Sequence, residues 1–145
     1  MAYSALDVAK YIIWYSHKKG YPISNLRLQK LLYFVQADFI MKKDSPCFDD
    51  GIIAWGFGPV IPDVYHEYKI YGATEIPKSK GRNGYAKIRE ADMQLIDELL
   101  DESSSYSTSQ LVDITHKQAP WKDVYKGRYS NEPITQDAIR EYFCG

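Results

Sequence analysis

The clearest feature of the sequence is a stripe of apolar residues in the segment that follows Ser24. The stripe has the i, i+3, i+4, i+7 and i+11 spacing of one face of an α-helix. Asp44-Ser45-Pro46 then interrupts the pattern, because Pro does not continue a helix. We therefore predict a long helix that runs from Ser24 to about Lys43. The residues of the stripe are Leu28, Leu31, Leu32, Val35 and Phe39.

Shorter apolar repeats with helix-capping residues in front of them predict further helices. Ser4 is a typical N-cap, and Gly20 followed by Tyr21-Pro22 is a typical stop signal. Ser107 and Gln110 have the spacing of a capping box. The predicted helical segments are 4–19, 24–43, 63–71, 89–103, a helix behind 107–110, a short helical turn from 119, and a last helix capped by Thr135.

Residues 47–58 have a different character. Ile52-Ile53-Ala54-Trp55 is short and apolar and lies between turn-forming residues, which predicts a short strand. Tyr85-Ala86-Lys87-Ile88 is the candidate for a second strand paired with 52–55. The whole chain is predicted to be mainly α: one compact domain, residues 1–145, of about six helices with a small β-hairpin or extended segment around residues 51–58 and 84–88.

Composition places the chain among ordinary globular proteins. Its 145 residues fit one domain, and 45% hydrophobic and 26% charged residues are usual values for a folded chain. The 18 Lys and Arg residues nearly balance the 19 Asp and Glu residues, and the net charge of −1 disfavours indiscriminate phosphate binding. No apolar run approaches the ~18 residues of a membrane span, and no secretory signal is recognisable at the start. We expect a cytoplasmic protein with no membrane association.

Motifs that would indicate an enzyme or a cofactor are missing. His66-Glu67 begins like the zinc motif H-E-x-x-H, but position 70 is Ile. Gly56-Phe57-Gly58 is followed by Pro59, which removes a backbone N–H that a phosphate cradle needs. Two distant cysteines indicate neither a zinc site nor a disulfide framework. We therefore expect no enzymatic activity, no cofactor and no metal.

Basic residues near the first two predicted helices raise the alternative of a DNA-binding regulator. Lys18-Lys19, Arg27 with Lys30, and Lys42-Lys43 lie on or beside two helices joined by a short Gly-containing turn, which superficially matches a helix-turn-helix. An ordinary solvated helix face explains the same charges better, so nucleic acid binding is disfavoured. A further alternative is an enzyme or a small-molecule sensor built around the aromatic residues.

Three segments of the sequence resemble a known family. The first is Leu28-Gln29-Lys30-Leu31-Leu32-Tyr33 on the long helix. The second has the pattern W-x-x-G-P-V-x-P-x-V-Y-x-x-Y, and the third is an H-x-x-x-P-W segment. Together they resemble the Panacea domain of SocA-like antitoxins and phage-associated proteins. The residues of the second and third patterns are Trp55, Gly58, Pro59, Val60, Pro62, Val64, Tyr65, Tyr68, His116, Pro120 and Trp121.

The resemblance implies a bacterial or prophage antitoxin. Such a protein would neutralise a cognate protein toxin by direct binding, and the toxin would usually be encoded by an adjacent gene. Family members often carry an extra domain, and this chain is expected to be the bare antitoxin domain. The resemblance implies no catalytic residues, cofactor or metal. A homo-oligomer is compatible with the sequence.

Residue type and expected exposure suggest which residues contact the partner. Trp55 is either an anchor that is presented to a partner or a plug of the protein core, and the second interpretation is favoured. Lys30 and Tyr33 lie three residues apart and are expected to face outward together. The predicted partner-binding residues are Lys30, Tyr33, Trp55, Phe57, Tyr65, Tyr68 and Trp121. The residues expected to shape the motif are Leu28, Leu31, Leu32, Gly58, Pro59, Val60 and Pro62.

Overall fold

The computed structural model describes residues 2–78, 87–127 and 131–145, and these residues form seven α-helices and three short strands. The elements are α1 (Ala5–Lys19), α2 (Asn25–Lys43), β1 (Ile52–Trp55), β2 (Gly58–Val60), α3 (Pro62–Tyr68) continued by a 3₁₀ turn (Lys69–Tyr71), α4 (Glu90–Ser103), α5 (Thr108–His116), α6 (Ala119–Lys122), β3 (Pro133–Ile134) and α7 (Gln136–Cys144). The prediction of a mainly α fold is confirmed.

Side-chain caps fix where several helices begin. The hydroxyls of Ser4, Ser24 and Thr135 each accept a hydrogen bond from a backbone N–H in the first turn of α1, α2 and α7. Ser107 and Gln110 form the complete capping box at the start of α5. α1 ends at Gly20, whose φ of 75° is favourable for glycine. These predicted helix boundaries are confirmed.

Helix α2 is the central element of the fold. It contacts α1, α3, α4, α5, α7 and β2, and all five residues of its predicted stripe are buried. Because neighbours surround it, polar residues of α2 are buried as well and must find partners. Gln29 Oε1 accepts a hydrogen bond from Ile61 N–H at 2.9 Å, and Gln36 bonds to the backbone of Cys47 and Phe48. The central helix therefore binds the backbone of the segment that precedes β1 and of the segment that follows β2.

The three strands form one antiparallel sheet in the order β2-β1-β3. β1 and β2 are joined by a two-residue turn, Gly56-Phe57, and Trp55 pairs with Gly58. Pro59 is tolerated because β2 is an edge strand. The prediction of a strand at 84–88 is wrong for Lys87 and Ile88, which are in no strand. Residues 84–86 of that predicted strand lie outside the described residues. β2 and β3 pair with β1 on its two sides, so β1 has no free edge for the strand predicted at 84–88.

Helices α1 and α4 are joined by hydrogen bonds between tyrosines and aspartates. The acidic residues in the sequence of α4 predict an acidic outer face; this prediction is confirmed for the exposed Asp101 and wrong for Asp92, which is buried. The phenol groups on or beside α1 donate to these carboxylates. The pairs are Tyr3–Asp92 at 2.5 Å, Tyr11–Asp97 at 2.5 Å, Tyr15–Asp101 at 2.9 Å and Tyr21–Asp101 at 2.7 Å.

Candidate partner-binding site

Lys30 of α2 lies under the β1–β2 hairpin and is fully buried. Its Nζ donates a hydrogen bond to the carbonyl oxygen of Pro59 at 2.7 Å. Burial lowers the pKa of Lys30 to about 7, because an ammonium ion is poorly solvated there. In the described part of the chain, no carboxylate forms an ion pair with it. The expectation that Lys30 faces outward is wrong, because the hairpin covers this side of α2.

At Gly58 the backbone of the hairpin packs closely against side chains of α2 and α5. Its φ is +106°, which L-residues rarely adopt. A Cβ at this position would lie 2.7 Å from Thr115 Oγ1 and 3.0 Å from Lys30 Cε. Glycine is therefore required for both backbone conformation and space. The neighbouring motif residues Pro59 and Val60 are buried in β2, and Pro62 is the first residue of α3.

Tyr33, the second predicted residue of α2, is also fully buried rather than exposed. Its hydroxyl donates to Gln118 Oε1 at 2.8 Å, and its ring packs edge-on against Phe34 and Phe143. Burial raises its pKa. Tyr33 therefore fixes the turn between α5 and α6 and offers no surface to a partner.

Trp121 holds the hairpin from the α6 side. Its Nε1–H donates to the carbonyl oxygen of Trp55 at 2.7 Å. Its ring stacks on His116 at 4.0 Å and on Tyr125 at 4.6 Å between centroids. Within the described residues, His116 Nε2 is buried without a hydrogen-bond partner. The H-x-x-x-P-W segment thus clamps the hairpin, and Trp121 itself is half-buried.

The outer side of the hairpin carries one exposed aromatic residue, Phe57, and two half-buried ones, Trp55 and Tyr65. The Phe57 side chain lies at the turn and is 70% exposed. The Trp55 and Tyr65 rings meet edge-to-face at 5.0 Å, and Trp55 Nε1–H donates to Asn131 Oδ1 at 3.0 Å. We call Trp55, Phe57 and Tyr65 the hairpin face. They line a groove of about 240 Å³ together with residues of α2 and the 3₁₀ turn, among them Leu26 and Lys69.

Tyr68 stands apart from the hairpin face. Its ring is half-buried against the hydrophobic core, and burial raises its pKa to about 12. The structure therefore brings together three of the seven predicted partner-binding residues at the surface. Lys30 and Trp121 support the hairpin from below, Tyr33 holds the turn between α5 and α6, and Tyr68 packs inward.

Sequence reasoning missed several residues of this region. Thr115 and Gln118 contact Gly58 and Tyr33, but no local pattern distinguishes them from surface residues. Ile70 is 85% exposed on the 3₁₀ turn beside the groove residue Lys69. Ile70 could have been recognised from its position, because an apolar residue beyond the last turn of a helix no longer lies on the buried face of that helix.

The basic residues that suggested a helix-turn-helix do not share one surface. Arg27 is almost fully buried and donates to the carbonyl oxygens of Ser103 and Tyr106. Lys30 is buried under the hairpin. Lys42 and Lys43 form ion pairs with Asp38 and Asp92. The separation of these charges weakens the DNA-binding alternative.

Comparison with known proteins identifies the family. The sequence profile described as "Antitoxin SocA-like, Panacea domain" matches residues 28–122, which contain all three motif segments. The chain belongs to the SocA-like antitoxin family with the Panacea domain. A relative of this Panacea-domain chain is "Antitoxin SocA" of Caulobacter vibrioides (strain NA1000 / CB15N), 36% identical over 120 residues. The match covers 76% of this chain and 64% of that protein. The chain thus spans less than two thirds of the length of this curated relative. No solved structure matches the Panacea-domain chain described here.

Across residues 2–78, 87–127 and 131–145, no three His, Cys, Asp or Glu side chains are placed to hold one metal ion. Over the same residues, every helix is too short or too polar to cross a bilayer.

Proposed function

We propose that this protein is the antitoxin of a toxin–antitoxin pair and neutralises a cognate protein toxin by direct binding. Membership in the SocA-like family and the 36% identity to a protein named Antitoxin SocA carry this proposal. The proposal extends to residues 1–145 acting as one non-enzymatic antitoxin domain in the cytoplasm. The toxin would be the product of an adjacent gene.

The hairpin face is the proposed contact surface for the toxin. Phe57 leaves most of its ring in water, and exposed aromatic rings are frequent anchors of protein interfaces. Trp55 and Tyr65 beside it add aromatic surface, and the phenol hydroxyl of Tyr65 is a polar group that can hydrogen-bond to a partner. This surface therefore has the composition of an interface core.

The support beneath the hairpin favours the same conclusion. The carbonyl oxygens of Trp55 and Pro59 are held by Trp121 and Lys30, two buried or half-buried side chains. A turn held at both ends keeps Phe57 in one position before binding. Less conformational entropy is then lost on association, which raises affinity. In this proposal Lys30 and Trp121 position the hairpin, Tyr33 holds the turn that precedes α6, and Tyr68 supports α3.

Co-expression tests the proposal. The adjacent gene is placed under an inducible promoter, and growth is scored with and without this protein. We expect growth arrest on induction, rescue by the wild-type chain and loss of rescue with Phe57→Ala. Tyr142→Ala is the matched control, because Tyr142 is also an exposed aromatic residue but lies on α7.

Folding and expression of both variants are checked by circular dichroism and immunoblot, so that loss of rescue is not loss of protein. A toxic neighbour that this chain does not rescue contradicts the proposal. Rescue without a complex between the two proteins would contradict direct binding and would direct attention to the promoter and DNA binding.

A further inference from the structure

A second groove lies between α2, α4, α5 and α7 and shares no lining residue with the hairpin face. We call it the four-helix groove; its volume is about 220 Å³. Met41 and Tyr106 on its rim are 42% and 46% exposed. The apolar residues that line it are Phe34, Met41, Leu99, Leu111, Ile114 and Phe143.

Arg27 holds the wall of this groove in place. Its guanidinium donates to the carbonyl oxygens of Ser103 and Tyr106, both at 2.9 Å. These two carbonyls flank the turn between α4 and α5, and both residues line the groove. Hydrogen bonds from a charged donor are stronger than those between neutral groups. The groove is therefore formed before anything binds to it.

The charge of the groove is negative. Asp38 and Glu102 line it, and in the described part of the chain no Lys or Arg side chain does. Lys42 is the neighbouring cation. It pairs with Asp38 at 3.1 Å, and the charges of Glu98 and Glu102 act on it as well. Three carboxylates, those of Asp38, Glu98 and Glu102, thus lie at or beside the groove. The ammonium group of Lys42 and the buried guanidinium of Arg27 offset two of these charges, which leaves one net negative charge beside the apolar floor.

We propose that the four-helix groove binds an amphipathic helix of a partner protein that carries Lys or Arg beside its apolar face. Apolar grooves between helices are a recurring site for such helices. Acidic groups on the rim favour a basic flank, and flexible Met41 adapts to different apolar side chains. The four-helix groove lies about ten residues further along α2 than the groove lined by the hairpin face, a distance of roughly 15 Å at 1.5 Å per residue. Both surfaces are therefore available at the same time.

Two synthetic peptides test this proposal without a known partner. One is a 14-residue Leu/Lys peptide with Leu at i, i+3, i+4 and i+7 spacing, and the other has Glu in place of every Lys. Each is labelled with a fluorophore and titrated with the full chain, and anisotropy gives the dissociation constant. We expect the Leu/Lys peptide to bind, and binding to weaken with salt because part of the attraction is electrostatic.

Matched variants locate the binding surface. Glu102→Lys and Met41→Lys both make the groove more positive, whereas Glu67→Lys and Ile70→Lys make the same charge changes at exposed positions on α3 and the 3₁₀ turn. We expect each groove variant to weaken binding of the Leu/Lys peptide at least tenfold and each control to leave it within twofold. Circular dichroism of all four variants verifies that they fold.

Several outcomes overturn the proposal. Equal binding of both peptides would contradict the preference for a basic helix. Equal effects of the groove and control variants would show that the peptide does not bind in the four-helix groove. Absence of binding of the Leu/Lys peptide with up to about 0.5 mM of the chain also contradicts the proposal. Self-association that Met41→Lys abolishes, measured by sedimentation velocity, would identify a second copy of this chain as the occupant instead. None of these results depends on whether the hairpin face binds a toxin.

Discussion

Replacing Lys30 by Met removes the buried amine while keeping a flexible side chain of similar length. In the folded protein the pKa of Lys30 is lowered to about 7 by burial, against 10.5 for the ordinary side chain. Between these values the unfolded chain binds a proton that the folded chain does not. Raising the pH therefore favours folding, and below about pH 7 this dependence disappears because both states are protonated.

The magnitude follows from the same difference. One protonating group contributes at most about 1.4 kcal/mol per pH unit to the free energy of unfolding. From pH 7 to pH 9, wild-type stability is expected to rise by about 2 kcal/mol relative to Lys30→Met. The variant also leaves the Pro59 carbonyl without its donor, which costs about 1–3 kcal/mol at every pH. This second effect shifts the whole curve and does not change its slope.

Urea unfolding followed by tryptophan fluorescence at pH 6, 7, 8 and 9 measures both effects. Lys117→Met is the matched control, because Lys117 is exposed and its loss should leave the wild-type slope unchanged. Parallel stability curves for wild type and Lys30→Met between pH 7 and pH 9 would refute the reasoning. They would mean that Lys30 keeps its proton under the hairpin.

Three further predictions concern single side chains. Gly58→Ala should lower the free energy of unfolding by at least about 2 kcal/mol, since it adds a strained backbone angle to a close contact with Thr115; Gly72→Ala, where the added Cβ meets nothing within 4 Å, should cost less in the same thermal melts. Tyr11→Phe should lower the free energy of unfolding, measured in urea, by about 1–2 kcal/mol, because Asp97 loses the hydrogen bond from Tyr11. Tyr15→Phe should lower it less, because Asp101 keeps Tyr21 as a second donor; equal decreases would contradict this. A thiol reagent should modify Cys144 rapidly and Cys47 only after unfolding, because Cys47 is buried and burial raises its pKa; rapid modification of both thiols in the native protein would disprove it.

The helices could be predicted from the sequence because local interactions decide them. The capping residues Ser4, Ser107 and Thr135 act within one turn of their own helix. The stripe on α2 has the helical period, and its residues are buried as expected. Nothing distant is needed to recognise either feature.

The partner strands of β1 were harder to predict. Pro59 within β2 argues against a strand in a local reading, and it is tolerated only because β2 is at the edge of the sheet. β3 has two residues and lies about 80 residues further along the chain. Its pairing depends on tertiary structure, which periodicity does not report.

The errors in the candidate site have the same origin. A lysine beside an apolar stripe usually lies on the surface, and the burial of Lys30 follows from the hairpin that folds over it. The aspartates of α4 form an acidic pattern in the sequence, but their tyrosine partners lie more than 80 residues earlier in the chain. By contrast, Phe57 is exposed, because a large aromatic residue in a tight turn has few neighbours to bury it.

The central claim is that the hairpin face binds the cognate toxin. Isothermal titration of the purified toxin with wild type, Phe57→Ala and Tyr142→Ala tests it most directly. We predict a complex whose dissociation constant rises at least tenfold with Phe57→Ala and stays within twofold with Tyr142→Ala. A complex that is equally tight for all three chains would contradict the claim and place the toxin on another surface.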